Sequence, residues 1–292
     1  MKVECIQQTD SILGEGPLWD WRNESFFWLD ILAKKLFRLH LESGTQTGCW
    51  SFPSIIGCMA LTENVDVLLV ALSNGFHSLN TVTGELNFIY DPEPERPDYR
   101  FNDGGVDALG RLWVSTMSDE SGNSQGNLYR YEGGNICQKM DTGFKVPNGI
   151  SWSPDNKKMY LSDSQAYATY IYDFELQSGK ISNRKVLIEY DKNNGVPDGL
   201  TVDSQGNIWS SIWDGWRIQQ HAPDGSLLRT LKVPVERPTS IVFAGTALNE
   251  LLITSASFGF SNTDLTRQPL AGRVFRIVSD TKGRSENIFR FK

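Results

Sequence analysis

Long hydrophobic runs are absent from this 292-residue sequence, and no stretch approaches the about 20 apolar residues that a membrane-spanning helix needs. The first residues, Met1-Lys2-Val3-Glu4-Cys5, also lack the apolar core of a signal peptide. Basic charge is scarce, since 28 Lys and Arg face 35 Asp and Glu and no Lys/Arg run occurs. The net charge of −7 disfavours nucleic acid and anionic membranes as partners, and we expect a cytoplasmic protein.

Cysteine and histidine are sparse as well. The four cysteines stand apart from one another, at Cys5, Cys49, Cys58 and Cys137. No Cys-x-x-Cys pair is present, which argues against a zinc ribbon and against a thioredoxin-type redox motif. The three histidines, His40, His77 and His221, show no metal-ligand spacing. A disulfide scaffold and a thiolate metal site are therefore not expected.

Glycine and aromatic residues are plentiful, and a repeat organises them. The 26 Gly and 9 Trp are spread along the chain, as is typical of short strands joined by tight turns. Asp103-Gly104-Gly105-Val106-Asp107 leads to Trp113, and Asp198-Gly199-Leu200-Thr201-Val202-Asp203 leads to Trp209 in a close copy. Six such units begin near residues 17, 57, 103, 148, 198 and 239, with steps of 40 to 50 residues. This spacing predicts an all-β fold, a single six-bladed β-propeller domain over residues 1–292 with four antiparallel strands per blade.

The two ends of the chain are expected to close the ring. We predict that an N-terminal strand around Lys2 to Gln7 pairs with strands near Val274 to Ile277 or near Ile288 to Phe291. Pairing of the two ends in one blade would protect the sheet edges.

Oxygen-bearing side chains stand at the start of four repeats. They are Glu15, the pair Asn102-Asp103, Asn148 and Asp198. Each one alone is a good turn residue, so its simplest role is structural. In a propeller, however, these positions begin the innermost strands and converge on one mouth of the central channel. Such a set of oxygen donors without thiols is typical of a site for a hard cation.

Two further features lie close to these positions in the sequence. Arg100 precedes Asn102 on the same loop, where a guanidinium can hold substrate oxygens or form a salt bridge between blades. The segment Trp213-Asp214-Gly215-Trp216-Arg217 follows an inner strand and is a candidate wall of the pocket.

Five motifs, in this order, carry a family resemblance. They are Gly14-Glu15-Gly16-Pro17-Leu18-Trp19, Arg100-Phe101-Asn102-Asp103-Gly104, Pro147-Asn148-Gly149, Pro197-Asp198-Gly199 and Arg267-Gln268-Pro269-Leu270-Ala271-Gly272. The sequence resembles the gluconolactonase, regucalcin and senescence-marker-protein family from about Glu15 to Ile277. The resemblance implies a six-bladed propeller, in agreement with the repeat count, and a hydrolase that opens a sugar lactone.

The resemblance also implies a metal centre. Glu15, Asn148 and Asp198 match the three metal ligands of the family, and Asp198 matches its catalytic base. One divalent cation is implied, and calcium, zinc, manganese and magnesium all remain candidates. Such a cation acts as a Lewis acid on the lactone carbonyl and activates water, while Asp198 serves as general base.

The substrate side of the site is implied in the same way. Arg100 and Asn102 match residues that hold the lactone, and Glu120 matches a further substrate-contacting position. A gluconolactone-like aldono-lactone is the expected substrate. The sequence leaves open a calcium-dependent hydrolase of organophosphates or aryl esters, and a calcium-binding propeller without catalysis. It also leaves open the sugar and the oligomeric state.

Overall fold

The fold is an all-β ring of six blades, each a sheet of four antiparallel strands, as the repeat predicts. The computed structural model describes residues 2–7, 9–118 and 125–292. In five blades the strands follow one another along the chain from the centre of the ring outwards. The sixth blade contains three strands from the end of the chain and one from its beginning.

The strand bounds follow the repeat units of the sequence. Blade 1 contains β2 (Gly14–Asp20), β3 (Ser25–Asp30), β4 (Lys35–His40) and β5 (Thr45–Ser51). Blade 2 contains β6 (Ile56–Leu61), β7 (Val67–Leu72), β8 (Gly75–Asn80) and β9 (Leu86–Tyr90). Blade 3 contains β10 (Tyr99–Val106), β11 (Leu112–Ser118), β12 (Gly126–Gly133) and β13 (Ile136–Phe144). Blade 4 contains β14 (Pro147–Trp152), β15 (Lys158–Asp163), β16 (Ala168–Glu175) and β17 (Lys180–Glu189). Blade 5 contains β18 (Val196–Val202), β19 (Ile208–Trp213), β20 (Arg217–His221) and β21 (Leu227–Lys232). Blade 6 contains β22 (Pro238–Ala244), β23 (Glu250–Ser255), β24 (Val274–Val278) and β1 (Val3–Gln7).

The ring closes through its N-terminal strand. β1 pairs antiparallel with β24, and Val3 lies opposite Ile277. The first of the two predicted partners is therefore confirmed. The alternative partner near the C-terminus contacts blade 2 instead, where Phe289 forms a parallel bridge with Thr62.

Helix is scarce in the described part of the chain. One α-helix, α1 (Asn262–Arg267), and a 3₁₀ turn, Ser164–Ala166, are present there. Ser261 caps α1 through a reciprocal capping box with Asp264. Among the described residues, no helix has the length and apolar character required to cross a membrane.

The repeated Asp and Trp pair explains why two blades have nearly the same sequence. The Trp113 indole donates to Asp107 at 2.8 Å, and the Trp209 indole donates to Asp203 at 3.0 Å. All four side chains are fully buried. Each aspartate therefore accepts the indole N–H of a tryptophan that packs against the next blade, Trp113 against Trp152 and Trp209 against Phe243, and buried polar groups need such partners.

Every innermost strand is irregular at the same level. The pairing register between the first and second strands of each blade shifts between Glu15 and Leu18, and at the equivalent points of the other five blades. A β-bulge turns a side chain away from the regular alternation, and bulges are frequent next to active sites. Here the shifts turn the residues at the repeat starts towards the axis of the ring.

The last residues cross the other end of the ring. Gly283 donates its N–H to Leu248 O, Phe289 to Leu61 O, and Arg290 to Gly110 O. The segment 279–292 thus runs from blade 6 to blades 2 and 3. Its residues 284–287 line a central cavity of about 300 Å³ together with the distal halves of the inner strands.

Candidate active site

A cavity of about 320 Å³ opens at the end of the ring where the inner strands begin. Its floor contains five polar side chains from blades 1, 3, 4 and 5: Glu15, Arg100, Asn102, Asn148 and Asp198. The remaining lining residues are Leu13, Ile31, Met117, Val146, Ser164, Gln165, Val196, Trp213 and Phe258. The ring therefore brings together polar positions of the floor that are up to 183 residues apart in the sequence, from Glu15 to Asp198.

Glycine lets the inner strands approach one another at this level. Gly149, the residue after Asn148, has a φ of +33°, and a Cβ there would lie 2.6 Å from Leu200 N. A Cβ on Gly199, the residue after Asp198, would lie 2.0 Å from Ser240 Oγ. The Asn-Gly and Asp-Gly pairs of the sequence therefore have a steric reason, since no side chain fits between neighbouring strands here.

Acidic side chains lie close together in the floor. Burial and the charge of Asp103 raise the pKa of Glu15 to about 8. Burial, and then the charges of Glu15 and Asp103, raise the pKa of Asp198 well above its ordinary value. Glu15 accepts its own neighbour's N–H, Gly16 N, at 3.0 Å. Two buried carboxylates that oppose each other's ionisation are a costly arrangement without a counter-ion.

Asp103 lies on the channel side of the floor. It lines the central cavity rather than the outer one, and it accepts the N–H groups of Gly104 and Gly149, both at 2.7 Å. Burial raises its pKa to about 6, although these two hydrogen bonds lower it. Its charge nevertheless acts on Glu15 and Asp198. The third carboxylate thus acts on the floor electrostatically from below.

A chain of hydrogen bonds orients the amides. An Arg100 guanidinium nitrogen, Nη1, donates to Asn102 Oδ1, and Asn102 Nδ2 donates to Asn148 Oδ1, both at 2.8 Å. Asn148 Nδ2 in turn donates to Ser164 Oγ at 2.8 Å. Asn102 Nδ2 also donates to Pro147 O at 2.8 Å, so both of its amide hydrogens are engaged. Among the described residues, Asn102 Oδ1 and Asn148 Oδ1 each accept one hydrogen bond, which leaves one lone pair on each oxygen.

Of the six site residues predicted from the sequence, five lie together in the structure. Glu15, Arg100, Asn102, Asn148 and Asp198 line one cavity. Glu120 lies outside the described residues.

The predicted wall segment divides in two. Trp213 lines the cavity, whereas Trp216 is 42% exposed and is not part of the lining. Ser164 and Phe258 were not singled out from the sequence. Ser164 starts a 3₁₀ turn directly after β15, and Phe258 stands in the loop after β23, so no repeat position marks them.

The donor set of the floor fits a divalent cation. Within residues 2–7, 9–118 and 125–292, no three His, Cys, Asp or Glu side chains cluster in a metal-binding arrangement. Glu15, Asn148 and Asp198 supply instead two carboxylates and one amide oxygen, the donor chemistry that calcium, magnesium and manganese prefer. Glu15 and Asp198 are both buried in this floor, at 9% and 5% exposed, and buried carboxylates without a counter-ion are unfavourable, which supports a cation here.

The profile of the family described as SMP-30/Gluconolactonase/LRE-like region matches residues 13–257. The chain belongs to this family. The resemblance read from the five motifs is therefore confirmed.

Relatives match over almost the whole chain. Regucalcin of Gallus gallus is 33% identical over 284 residues, covering 95% of this chain and 94% of its own. A 6-deoxy-6-sulfogluconolactonase of Pseudomonas putida is 34% identical over 289 residues and 98% of each chain. The solved structure of regucalcin from Agrobacterium tumefaciens, described as a calcium-binding protein, superposes with a TM-score of 0.93 at 28% identity. It covers 98% of this chain and 96% of that one.

Proposed function

We propose that this family member is a divalent-metal-dependent lactonase that hydrolyses a gluconolactone-like sugar lactone to the aldonic acid. The observation that carries the proposal is the polar floor, where two buried carboxylates and an oriented amide lie beside one guanidinium at the base of a cavity. The name of the Pseudomonas putida relative, a gluconolactonase of a sulfonated sugar, supports this chemistry.

Glu15, Asn148 and Asp198 would hold the cation. When bound, a divalent ion supplies Lewis acidity towards a carbonyl oxygen and lowers the pKa of water. The Asn148 oxygen is well suited to this role, because two hydrogen bonds fix its amide plane and one lone pair stays available. The described calcium-binding relative supports calcium as the first candidate, with zinc, manganese and magnesium as the others.

Asp198 is the proposed general base. Its buried carboxylate lies in the cavity floor, where it can accept a proton from the attacking water. It would take a proton from the water whose oxygen bonds to the carbonyl carbon, and it would return that proton to the ring oxygen as the ring C–O bond breaks, which gives the hydroxyl of the opened acid.

Arg100 and Asn102 are proposed to hold the lactone. Arg100 lines the cavity and donates to Asn102 Oδ1, and its guanidinium would bind a carbonyl or hydroxyl oxygen of the ligand. Asn102 keeps one acceptor position for a hydroxyl. Glu120 stays a prediction for a further substrate contact.

The test is lactone hydrolysis by chelator-treated protein with single metals added back. The panel contains glucono-, galactono-, arabino- and xylono-lactones, with a phosphotriester and an aryl ester for comparison. We expect Asp198→Ala to lower the metal-restored kcat by about 10³-fold. The matched control is Asp224→Ala, an exposed aspartate in an outer hairpin of the same blade.

The outcomes separate the alternatives. Turnover restored by a metal, and lost in Asp198→Ala but not in Asp224→Ala, supports the lactonase. Faster turnover of the phosphotriester or aryl ester favours that substrate class instead. If folded, metal-loaded protein hydrolyses none of the substrates, a propeller that binds metal without catalysis is favoured, because fold alone does not determine function.

A further inference from the structure

Two side chains with hydrogen-bonding groups line the cavity above its floor and have no role in the chemistry proposed so far. Trp213 ends β19 in blade 5, and Gln165 lies in the 3₁₀ turn after β15 in blade 4. Within the described part of the chain, neither the Trp213 indole N–H nor the Gln165 amide forms a hydrogen bond with another residue. An indole nitrogen only donates, whereas a carboxamide both donates and accepts. Both kinds of group are therefore available to a ligand in this cavity.

The Trp213 ring is held in place by Arg237, which directly precedes β22 of blade 6. The Arg237 guanidinium lies over this ring, 5.0 Å from its centre. Its Nε donates to Asp214 Oδ1 at 2.6 Å, and its Nη1 donates to Phe258 O. A cation over an aromatic ring is attracted to the face of that ring. The protein thus covers one face of the indole and gives the ring a defined orientation at the cavity.

The backbone that carries Gln165 is also fixed. Asp163 is buried and caps the 3₁₀ turn, where it accepts the Ala166 N–H at 3.2 Å. The same carboxylate accepts the N–H groups of Lys145 and Val146, at 2.8 and 3.0 Å. Asp163 therefore joins the turn to the segment before β14. The Gln165 side chain is exposed, so its amide can turn towards a ligand without disturbing the fold.

A sugar lactone needs hydrogen-bond partners beyond the floor. Each of its hydroxyls loses water on binding, and an unpaired buried hydroxyl is unfavourable. Both amide hydrogens of Asn102 are engaged within the protein, so Asn102 can only accept from a hydroxyl. Trp213 Nε1 and Gln165 Nε2 supply donors. They come from blades 5 and 4, whereas Arg100 and Asn102 belong to blade 3, so a bound lactone would be contacted from different directions.

We infer that Trp213 Nε1 and the Gln165 amide bind hydroxyl groups of the sugar lactone and determine its preference over lactones without hydroxyls. Arg237 is a positioning residue, because it acts through Trp213. The inference rests on the proposed lactonase function and adds two specificity-determining residues to Arg100 and Asn102.

The experiment compares δ-gluconolactone with δ-valerolactone, which has the same six-membered cyclic ester without hydroxyls. The measured quantity is the ratio of their kcat/KM values in the metal-loaded enzyme, after subtraction of spontaneous hydrolysis. We expect a ratio of about 10² or more in the wild-type protein, because polar groups left unpaired penalise the ligand that lacks hydroxyls. Each variant is compared with the wild type by this ratio, so the difference in intrinsic reactivity of the two lactones cancels.

Two variants remove the hydrogen-bonding groups and retain most of the side-chain volume. Trp213→Phe removes the indole N–H and keeps an aromatic ring beside Arg237. Gln165→Met replaces the amide with an apolar side chain of similar length at an exposed position, so the variant should fold. Each should lower the ratio about fivefold, mainly through KM for δ-gluconolactone, because one neutral hydrogen bond is lost.

The matched controls are Trp216→Phe and Gln205→Met, which should both keep the wild-type ratio. Trp216 stands on the turn after β19, is 42% exposed and is not part of the lining. Gln205 lies exposed on the turn after β18, at the other end of the ring.

The positioning role of Arg237 has its own test. Arg237→Lys keeps the charge but loses the planar fork, and it should lower the ratio about twofold to threefold. In the Trp213→Phe background the same change should cause little further loss, because Arg237 acts through the indole. Additive losses would contradict the positioning role.

The failures are distinguishable. A wild-type ratio in both folded cavity variants overturns the inference and leaves the lactonase intact, and a wild-type ratio in one variant removes that residue from it. Equal losses with both lactones also overturn the inference, since the two residues would then act on the lactone group or on the fold. If the wild-type protein hydrolyses no lactone, the proposed function itself is overturned.

Discussion

Asn102 Nδ2 donates a 2.8 Å hydrogen bond to Asn148 Oδ1, joining blades 3 and 4 at the floor of the cavity. This bond, with the one from Asn148 Nδ2 to Ser164 Oγ, determines which end of the Asn148 amide faces the candidate metal position. Residues that hydrogen-bond to a metal-ligating side chain and orient it commonly have a large effect on metal affinity.

Ser164→Ala should therefore weaken divalent-metal binding by about 10-fold, because the Asn148 amide loses the acceptor that fixes its plane. Calorimetric titration of calcium or manganese into chelated protein measures the effect. Ser162→Ala is the control, since Ser162 is buried opposite Asn148 in β15, but its hydroxyl forms a hydrogen bond with the Thr169 hydroxyl. Equal affinities of the two variants would contradict the orienting role of Ser164.

Metal binding should stabilise the protein through Glu15. We expect a divalent cation at 100 times its Kd to raise the free energy of unfolding by about 2.7 kcal/mol, as mass action requires. In Glu15→Gln this gain should be largely lost, because one of two ligand carboxylates is replaced. Thermal melts of chelated and metal-loaded protein test this. An undiminished rise in Tm in Glu15→Gln would remove Glu15 from the ligand set.

Gly149→Ala should destabilise the fold by about 2–3 kcal/mol, because the added Cβ meets Leu200 N at 2.6 Å and the backbone has a positive φ. Gly44→Ala separates the two causes. Gly44 has a φ of +64°, but a Cβ there would meet nothing within 4 Å. Urea unfolding of both variants gives the comparison. A Gly44→Ala cost equal to that of Gly149→Ala would mean that φ alone, and not close strand approach, requires glycine.

His221 should make the fold less stable as pH falls. Burial lowers its pKa from 6.5 to about 4, so between these values the unfolded chain binds a proton that the folded protein does not. Stability contributed by the neutral ring is therefore present above pH 6.5 and decreases from there down to about pH 4. His221→Gln should flatten the slope of the unfolding free energy in this window, measured by urea denaturation at stepped pH. A wild-type slope in His221→Gln would contradict the assignment.

Much of the architecture could be predicted because it repeats. Each of the six units needs the same bulged inner strand, and Gly149 and Gly199 occupy equivalent places in it for the same steric reason. The leading residues Glu15, Asn148 and Asp198 could be placed together, since equivalent positions of a closed ring must face one axis. The sequence narrowed the pairing partner of the N-terminal strand to two segments but not to one, because both candidate segments have a strand pattern.

For residues whose positions do not follow from the repeat, only the tertiary structure showed whether they reach the cavity. Asp103 directly follows Asn102, yet the bulge in β10 directs Asp103 to the central channel and Asn102 to the floor. Ser164 and Phe258 reach the cavity from non-repeating loops.

The sequence by itself determined the ring of six blades and the oxygen donors at its axis, because local alternation, turn residues and a fixed period impose them. Only the tertiary structure decided which amide oxygen faces the site and which side chains form its wall. Those depend on contacts such as that of Arg237 with Trp213, made between blades by residues that no local pattern relates.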